Sequence, residues 1–334
     1  MYDRKKRIIV YPDADPQILD VFPSALTETL KALGEYRIYE GAPPNTREYI
    51  ERVKEADAIL LGWGIPNEVL KHCHNLQIIS FTGTGAENFI DIPFATSQGI
   101  TITTTPGYGD QSVAEHTVGL MFSVAKNIPL HDSRVKAGTW DQSKPSKELR
   151  DKTVGVIGLG GIGRLVAQLC SALGMKVIGW TKHPDDTRAK RYGLTFVPLE
   201  YLLRQSDIVT LHLPLSQETR GFLDGKRLKL IKRGAIFINT ARAELVDTNV
   251  LVNLLNEGKI AGAGLDVFDD EPLPKDHPLL RTQNVILTPH IAFNTPEAIE
   301  RLLRIAVDNL EKYFEGNAQN VVNPETLNQK GEIP

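Results

Sequence analysis

Residues 158–163 read Gly158-Leu159-Gly160-Gly161-Ile162-Gly163, directly after the apolar run 154–157 and directly before a helical pattern over 164–173. A G-x-G-x-x-G turn between strand and helix limits the possible folds more than any other feature of the chain. Its first glycine permits a tight turn. The second lets the backbone approach a pyrophosphate, and the third lets helix and strand pack closely. The helix start adds unpaired N–H groups and a positive dipole end, which suit phosphate. Alone, the pattern also fits a turn that binds nothing; its setting favours a dinucleotide. The turn starts at residue 158 of 334, so the nucleotide-binding unit is expected as an insertion into something else.

The rest of the chain repeats the alternation of strand and helix. Strands are expected at 8–11, 37–39, 58–61, 77–81 and 100–103, with helices at 26–33, 47–54 (capped by Asn45) and 67–72. One long helix is expected over about 112–137, with Val113, Thr117, Leu120, Met121 and Val124 on its apolar side, and a polar stretch over 138–151 follows. Further strands are expected at 153–157, 176–179, 208–211, 235–239, 262–267 and 285–287. That set of six is what a full dinucleotide-binding sheet requires. A final helix, about 296–314, carries Ile299, Leu302, Leu303, Ile305, Ala306 and Leu310 at helical spacing and suits a return to the first domain.

Such alternation builds parallel sheets covered by helices on both faces. The expected class is α/β with two Rossmann-like domains. A dinucleotide-binding domain, 104–295, is inserted into a flavodoxin-like substrate domain made of 1–103 and 296–334. Small-molecule sites favour the carboxyl ends of parallel strands and the cleft between such domains.

Bulk properties exclude other classes. A net charge of −3 offers no basic surface for nucleic acid. No apolar stretch approaches the roughly 18 residues of a membrane span. The cluster Arg4-Lys5-Lys6-Arg7 is followed only by Ile8-Ile9-Val10 before Tyr11-Pro12-Asp13, so it does not read as a signal peptide. Two cysteines, Cys73 and Cys170, make no disulfide framework, which fits a cytoplasmic protein. His72 and His74 would point to different sides of a helix, and no metal site is expected.

Three polar residues follow strands of the second sheet: Arg242 after 235–240, Glu271 after 262–267 and His290 after 285–288. Each has an ordinary structural reading as a surface ion pair, a turn residue before Pro272 or a partly buried imidazole. Together their chemistry is complementary. Arginine presents a planar fork to a carboxylate. Histidine titrates near neutral pH, and a carboxylate on its far nitrogen fixes the tautomer. Anchor, proton relay and orienter are the groups needed to reduce a 2-keto acid.

The ordered segments Val154-Gly155-Val156-Ile157-Gly158-Leu159-Gly160-Gly161-Ile162-Gly163, Phe237-Ile238-Asn239-Thr240-Ala241-Arg242, Gly264-Leu265-Asp266-Val267-Phe268-Asp269-Asp270-Glu271-Pro272 and Leu287-Thr288-Pro289-His290 resemble the D-isomer-specific 2-hydroxyacid dehydrogenases, over almost the whole chain. Thr105-Pro106-Gly107-Tyr108 and Val113-Ala114-Glu115-His116 look like that family's interdomain crossing, with a second near 292–296. The resemblance implies NAD(P)H-dependent, reversible reduction of a small 2-keto acid to a D-2-hydroxy acid. It gives Arg242 the substrate carboxylate and carbonyl, His290 the proton for the C2 oxygen, and Glu271 the task of pairing with His290 and raising its pKa. Asp266 would contact the nicotinamide carboxamide. Gly158, Gly160, Gly161, Ile162, Gly163, Pro214, Thr219 and Thr240 would line the cofactor. Backbone N–H groups of Thr84 and Gly85 would hold the substrate carboxylate. A homodimer through 111–140 is implied as well.

In one place the pattern departs from an NAD-specific unit. The strand 176–180 ends in Thr181 and Lys182, where an acid would hold the ribose 2′-OH; Asp185 and Asp186 come late. A hydroxyl beside a lysine would accept a 2′-phosphate, so NADP is expected over NAD, although a solvated loop would look the same. Little chain remains after residue 315 for a regulatory domain, which favours glyoxylate or hydroxypyruvate as substrate, with branched or aromatic 2-keto acids open. Two alternatives share the fold. A formate dehydrogenase-like enzyme is disfavoured by Glu271, where that branch places Gln. A corepressor-like module that senses the nucleotide would keep the same three residues.

Overall fold

The computed structural model describes residues 6–328; Arg4 and Lys5 of the basic cluster lie outside them. The chain divides into two compact units, residues 6–109 with 295–328, and residues 110–294.

In the first unit five parallel strands, β1 (Ile8–Ala14), β2 (Glu35–Glu40), β3 (Ala58–Leu61), β4 (Ile78–Phe81) and β5 (Thr101–Thr103), take the order β2-β1-β3-β4-β5. This is the flavodoxin-like order. β1, β3 and β4 are buried along their whole length, as strands covered on both faces must be. Asn45 caps the helix Thr46–Val53 by accepting the Glu48 N–H at 2.9 Å. The helix Pro296–Phe314 buries Leu302, Leu303, Ala306 and Leu310 in this unit, and the Ser80 hydroxyl of β4 donates to the Ala306 carbonyl at 2.9 Å.

The second unit holds β6 (Thr153–Ile157), β7 (Lys176–Trp180), β8 (Thr195–Phe196), β9 (Ile208–Leu211), β10 (Ile236–Asn239), β11 (Gly262–Leu265) and β12 (Val285–Leu287). They are parallel, in the order β12-β11-β10-β9-β6-β7-β8. Alternate residues serve opposite faces. Phe237 joins one apolar cluster with Val209 and Leu211, while Ile236 and Ile238 join another with Val154 and Val156. The strand order reverses between β6 and β9, which opens a crevice beyond their carboxyl ends.

Three expectations are corrected here. The second sheet has seven strands rather than six. β8 is only two residues long, too short for a periodic signal, and pairs Phe196 with Gly179. The long helix is two, Asp110–Lys126 and Ile128–Lys136, broken at Asn127 with φ 53. Pro129 cannot donate to the preceding turn, and asparagine tolerates the left-handed conformation. The strand expected to run to 267 ends at Leu265, so Asp266 stands just beyond it.

Candidate active site

Neighbouring strands deliver the polar residues. Asn239 pairs with Leu265, and Leu265 with Leu287, so β10, β11 and β12 end level. Arg242, Asp266 and His290 follow them within three residues, at one sheet edge whose strands are spaced about 4.8 Å apart.

The His290 Nδ1 lies 2.8 Å from Glu271 Oε2, and the other oxygen of Glu271 accepts the Phe268 N–H at 3.0 Å. A carboxylate only accepts, so Nδ1 carries a proton and Nε2 is the working nitrogen. Both side chains are more than a third exposed, 36% and 37%, and remain reachable. Phe293 meets the imidazole edge-on at 6.0 Å. His290 has φ 52. Such a left-handed residue costs roughly 1–2 kcal/mol and persists only where its surroundings hold it.

Arg242 is set by Asn239, which is 2% exposed. The Asn239 side chain accepts the Ala241 N–H at 3.0 Å and donates to the Arg242 carbonyl at 2.9 Å. One guanidinium nitrogen donates to the Ala241 carbonyl at 2.7 Å, which leaves other donors of the fork for an anion. Asp266 is fully buried. Its Oδ1 accepts the Thr288 hydroxyl at 2.6 Å and the Ile291 N–H at 3.0 Å, and its Oδ2 accepts the Ala292 N–H at 2.9 Å. Both oxygens therefore grip the segment around His290.

The glycine turn fits a dinucleotide. Gly158 has φ +92, and a Cβ there would lie 2.5 Å from the His212 carbonyl oxygen. A Cβ at Gly163 would collide with the Gly158 carbonyl, and one at Gly161 with the Asp110 carboxylate. Around Gly160 nothing lies within 4 Å of a Cβ, so the turn keeps an open cradle at the start of the helix Gly161–Ala172. Ile162, half-buried, packs beside the apolar cluster of that face. Thr240 is buried. The Thr219 hydroxyl donates to the Pro214 carbonyl at 2.6 Å and accepts the Ser216 N–H at 2.8 Å, closing that loop. His212 is buried under the turn, with Nε2 2.8 Å from the Thr210 hydroxyl oxygen; its Nδ1 has no partner among the described residues. Burial pushes this imidazole down to about 3.

Past β7, Lys182 pairs with Glu218 at 2.6 Å. Asp185 accepts N–H groups of Thr187 (2.7 Å) and Arg188 (3.3 Å) as the cap of the helix Asp186–Tyr192, which holds its carboxyl below the usual carboxylate range. Arg188 reaches back to the Leu159 carbonyl at 2.5 Å. In the first unit, Thr84 is exposed and Gly85 has φ +78, just past β4.

Sequence reasoning missed Asn239, Arg188, His212 and Thr288 as supports of these groups. For Asn239 a signal existed, since an asparagine two or three residues before a strand-end arginine can close an Asx turn.

Residues 118–292 match the family model of the D-isomer specific 2-hydroxyacid dehydrogenase, NAD binding domain. A glyoxylate reductase of Thermofilum pendens is 39% identical over 92% of this chain and 94% of its own. A hydroxypyruvate reductase of Blautia hydrogenotrophica is 35% identical over 88% and 94%. Among solved structures, an acyclic imino acid reductase (Bsp5), in complex with NADPH and D-Arg, superposes with a TM-score of 0.83 and 31% identity, covering 94% of this chain and 99% of that one. These matches favour neither a corepressor-like module nor a formate dehydrogenase-like enzyme.

Proposed function

The chain belongs to the D-isomer-specific 2-hydroxyacid dehydrogenases, NAD(P)-dependent reductases of 2-keto acids, and on that premise we propose how its residues divide the work. With a dinucleotide held by its pyrophosphate at the glycine turn, its nicotinamide would supply hydride. Arg242 holds the carboxylate and polarises the carbonyl. His290 delivers a proton from Nε2 to the C2 oxygen, while Glu271 holds Nδ1 and with it the ring. Gly160 leaves room for the pyrophosphate. Thr84 and Gly85 are the first unit's candidates for the substrate carboxylate, in keeping with residues 1–103 and 296–334 as the substrate domain and 104–295 as the cofactor domain. The observation that carries this reading is the His290–Glu271 contact of 2.8 Å at the sheet edge that also bears Arg242.

The substrate we favour is glyoxylate or hydroxypyruvate, which the two relatives' names support. NADPH is favoured over NADH. In support, Asp185 is spent on a helix cap and no acid ends β7, while Lys182 stands beside Thr181. Among the described residues no helix is long and apolar enough to cross a membrane, and we place the protein in the cytoplasm. A homodimer through 111–140 is supported by Ile128, Val135 and Trp140, exposed at 52%, 54% and 80%.

The test is the loss of absorbance at 340 nm with glyoxylate, hydroxypyruvate, pyruvate and phenylpyruvate, each with NADPH and NADH. Turnover fastest with the first two and with NADPH is expected. A clearly higher kcat/KM with NADH overturns the cofactor choice. No turnover with any acid, despite bound cofactor, overturns the substrate class.

A further inference from the structure

The bonds around Asp266 continue into a network that no step above uses. On the helix Asp110–Lys126, Ser112 and His116 are spaced i, i+4 and share a face, and Thr117 stands one position further on. The buried Ser112 hydroxyl donates to the Ala292 carbonyl at 2.7 Å. His116 Nε2 lies 3.0 Å from the Thr288 hydroxyl oxygen. Thr117 and Thr240 meet at 2.8 Å through their hydroxyls.

Proton counting orients these bonds. Thr288 has one hydroxyl proton and gives it to Asp266, so His116 must donate to Thr288 through Nε2–H. Thr117 gives its proton to the Val113 carbonyl at 2.7 Å, so Thr240 donates to Thr117. One helix thus grips two loops. The loop of Arg242 is held at Thr240, and the loop of His290 is held on both sides, at Thr288 and at Ala292.

That helix is itself seated closely on β11. A Cβ at Gly264 would lie 2.9 Å from Leu120 Cβ, and one at Gly262 would lie 2.7 Å from Val124 Cγ1. The strand bearing these glycines ends at Leu265, and Asp266 follows it directly. The scaffold and the carboxylate are therefore fixed relative to one another, and Thr288 is caught between them.

We propose that Thr288, held between His116 and Asp266, is a positioning residue for His290. The chain His116–Thr288–Asp266 fixes the left-handed turn from which the imidazole meets both Glu271 and substrate. Asp266 takes part by clamping the Ile291 and Ala292 amides that follow His290. This rests on His290 as the proton donor. Displacement of a reacting group by about 1 Å can cost on the order of 10²-fold in rate.

Thr288→Val keeps the shape and removes the hydroxyl, whereas Thr288→Ser keeps the hydroxyl. For each variant of the full chain, kcat and KM with the keto acid, cofactor Kd by fluorescence titration, and the NMR shifts of the His290 ring across pH are measured. Thr288→Val should lose about 10–100-fold in kcat, with KM and cofactor Kd within about threefold of wild type. Its His290 resonances should move, and Thr288→Ser should restore both readouts. Unchanged kcat and unchanged His290 resonances in Thr288→Val overturn the proposal. A weakened cofactor Kd with kcat intact also overturns it, and assigns the network to the nicotinamide. Should wild type turn over no keto acid, the reading of His290 fails, while the ring resonances still decide whether Thr288 positions it.

Discussion

His212 makes the stability of the second unit depend on pH in a way one substitution removes. In the folded chain its imidazole is held down to about 3 by burial, with one nitrogen on Thr210 and the other unpartnered among the described residues. In the unfolded chain it returns to the ordinary value of 6.5. Between those values the unfolded chain binds a proton that the folded chain refuses. Stability therefore falls as pH drops below about 6.5 and goes on falling toward pH 3. At about 1.36 kcal/mol per pH unit, the loss between pH 7.5 and pH 5.0 is about 2 kcal/mol. That figure is set by the unfolded value, because at pH 5 the folded group is still neutral. The assay is urea unfolding followed by tryptophan fluorescence, where Trp180 of β7 reports on this unit, at both pH values for wild type and His212→Gln. Other titrating groups are common to both proteins and cancel in the difference. Wild type should lose about 2 kcal/mol more than the variant on acidification. An equal loss in the two proteins would refute the argument.

Further outcomes follow from the same geometry. His290→Ala should lose about 10²–10⁴-fold in kcat with cofactor Kd unchanged, and Arg242→Ala should raise KM and lower kcat together; full activity in either removes that residue from the mechanism. Gly160→Val should abolish cofactor binding without lowering Tm, because its side chain enters open space. Gly163→Ala should lower both, since its methyl meets the Gly158 carbonyl at an overpacking cost of about 1–3 kcal/mol. Lys182→Ala should raise the KM for NADPH several-fold and leave that for NADH alone, while Glu218→Gln should lower the KM for NADPH by freeing the lysine; equal changes with both cofactors would count against the 2′-phosphate reading.

Much of this was legible in the chain because strand ends and chemistry coincide. The apolar run before Gly158 marks where a phosphate turn must be, and Arg242 and His290 stand two to three residues past apolar runs of their own. β3, at 58–61, and the last helix, at 296–314, came out with the observed bounds because each is a clean apolar pattern. The break at Asn127 was hidden by apolar positions that keep helical spacing across it, although Pro129 announces it. β8 was hidden by its length. The supports were illegible for another reason. His116 and Thr288 are 172 positions apart and Lys182 and Glu218 are 36 apart, so only the folded sheet brings them together. A lone polar residue on a helix face, such as His116, reads as solvated until its partner is known.

The return of the last helix also dictates an order of events during synthesis. Residues 110–294 form a contiguous unit, complete as soon as that stretch has been made. The first unit has no such privilege. Its β4 waits for Ala306 to accept the Ser80 hydroxyl, and β5 waits for Asn323, whose side chain accepts the Ile102 N–H at 2.7 Å. Although its strands leave the ribosome first, this sheet must sit half-covered while some two hundred later residues are added, so a nascent chain should become protease-resistant from the middle outward.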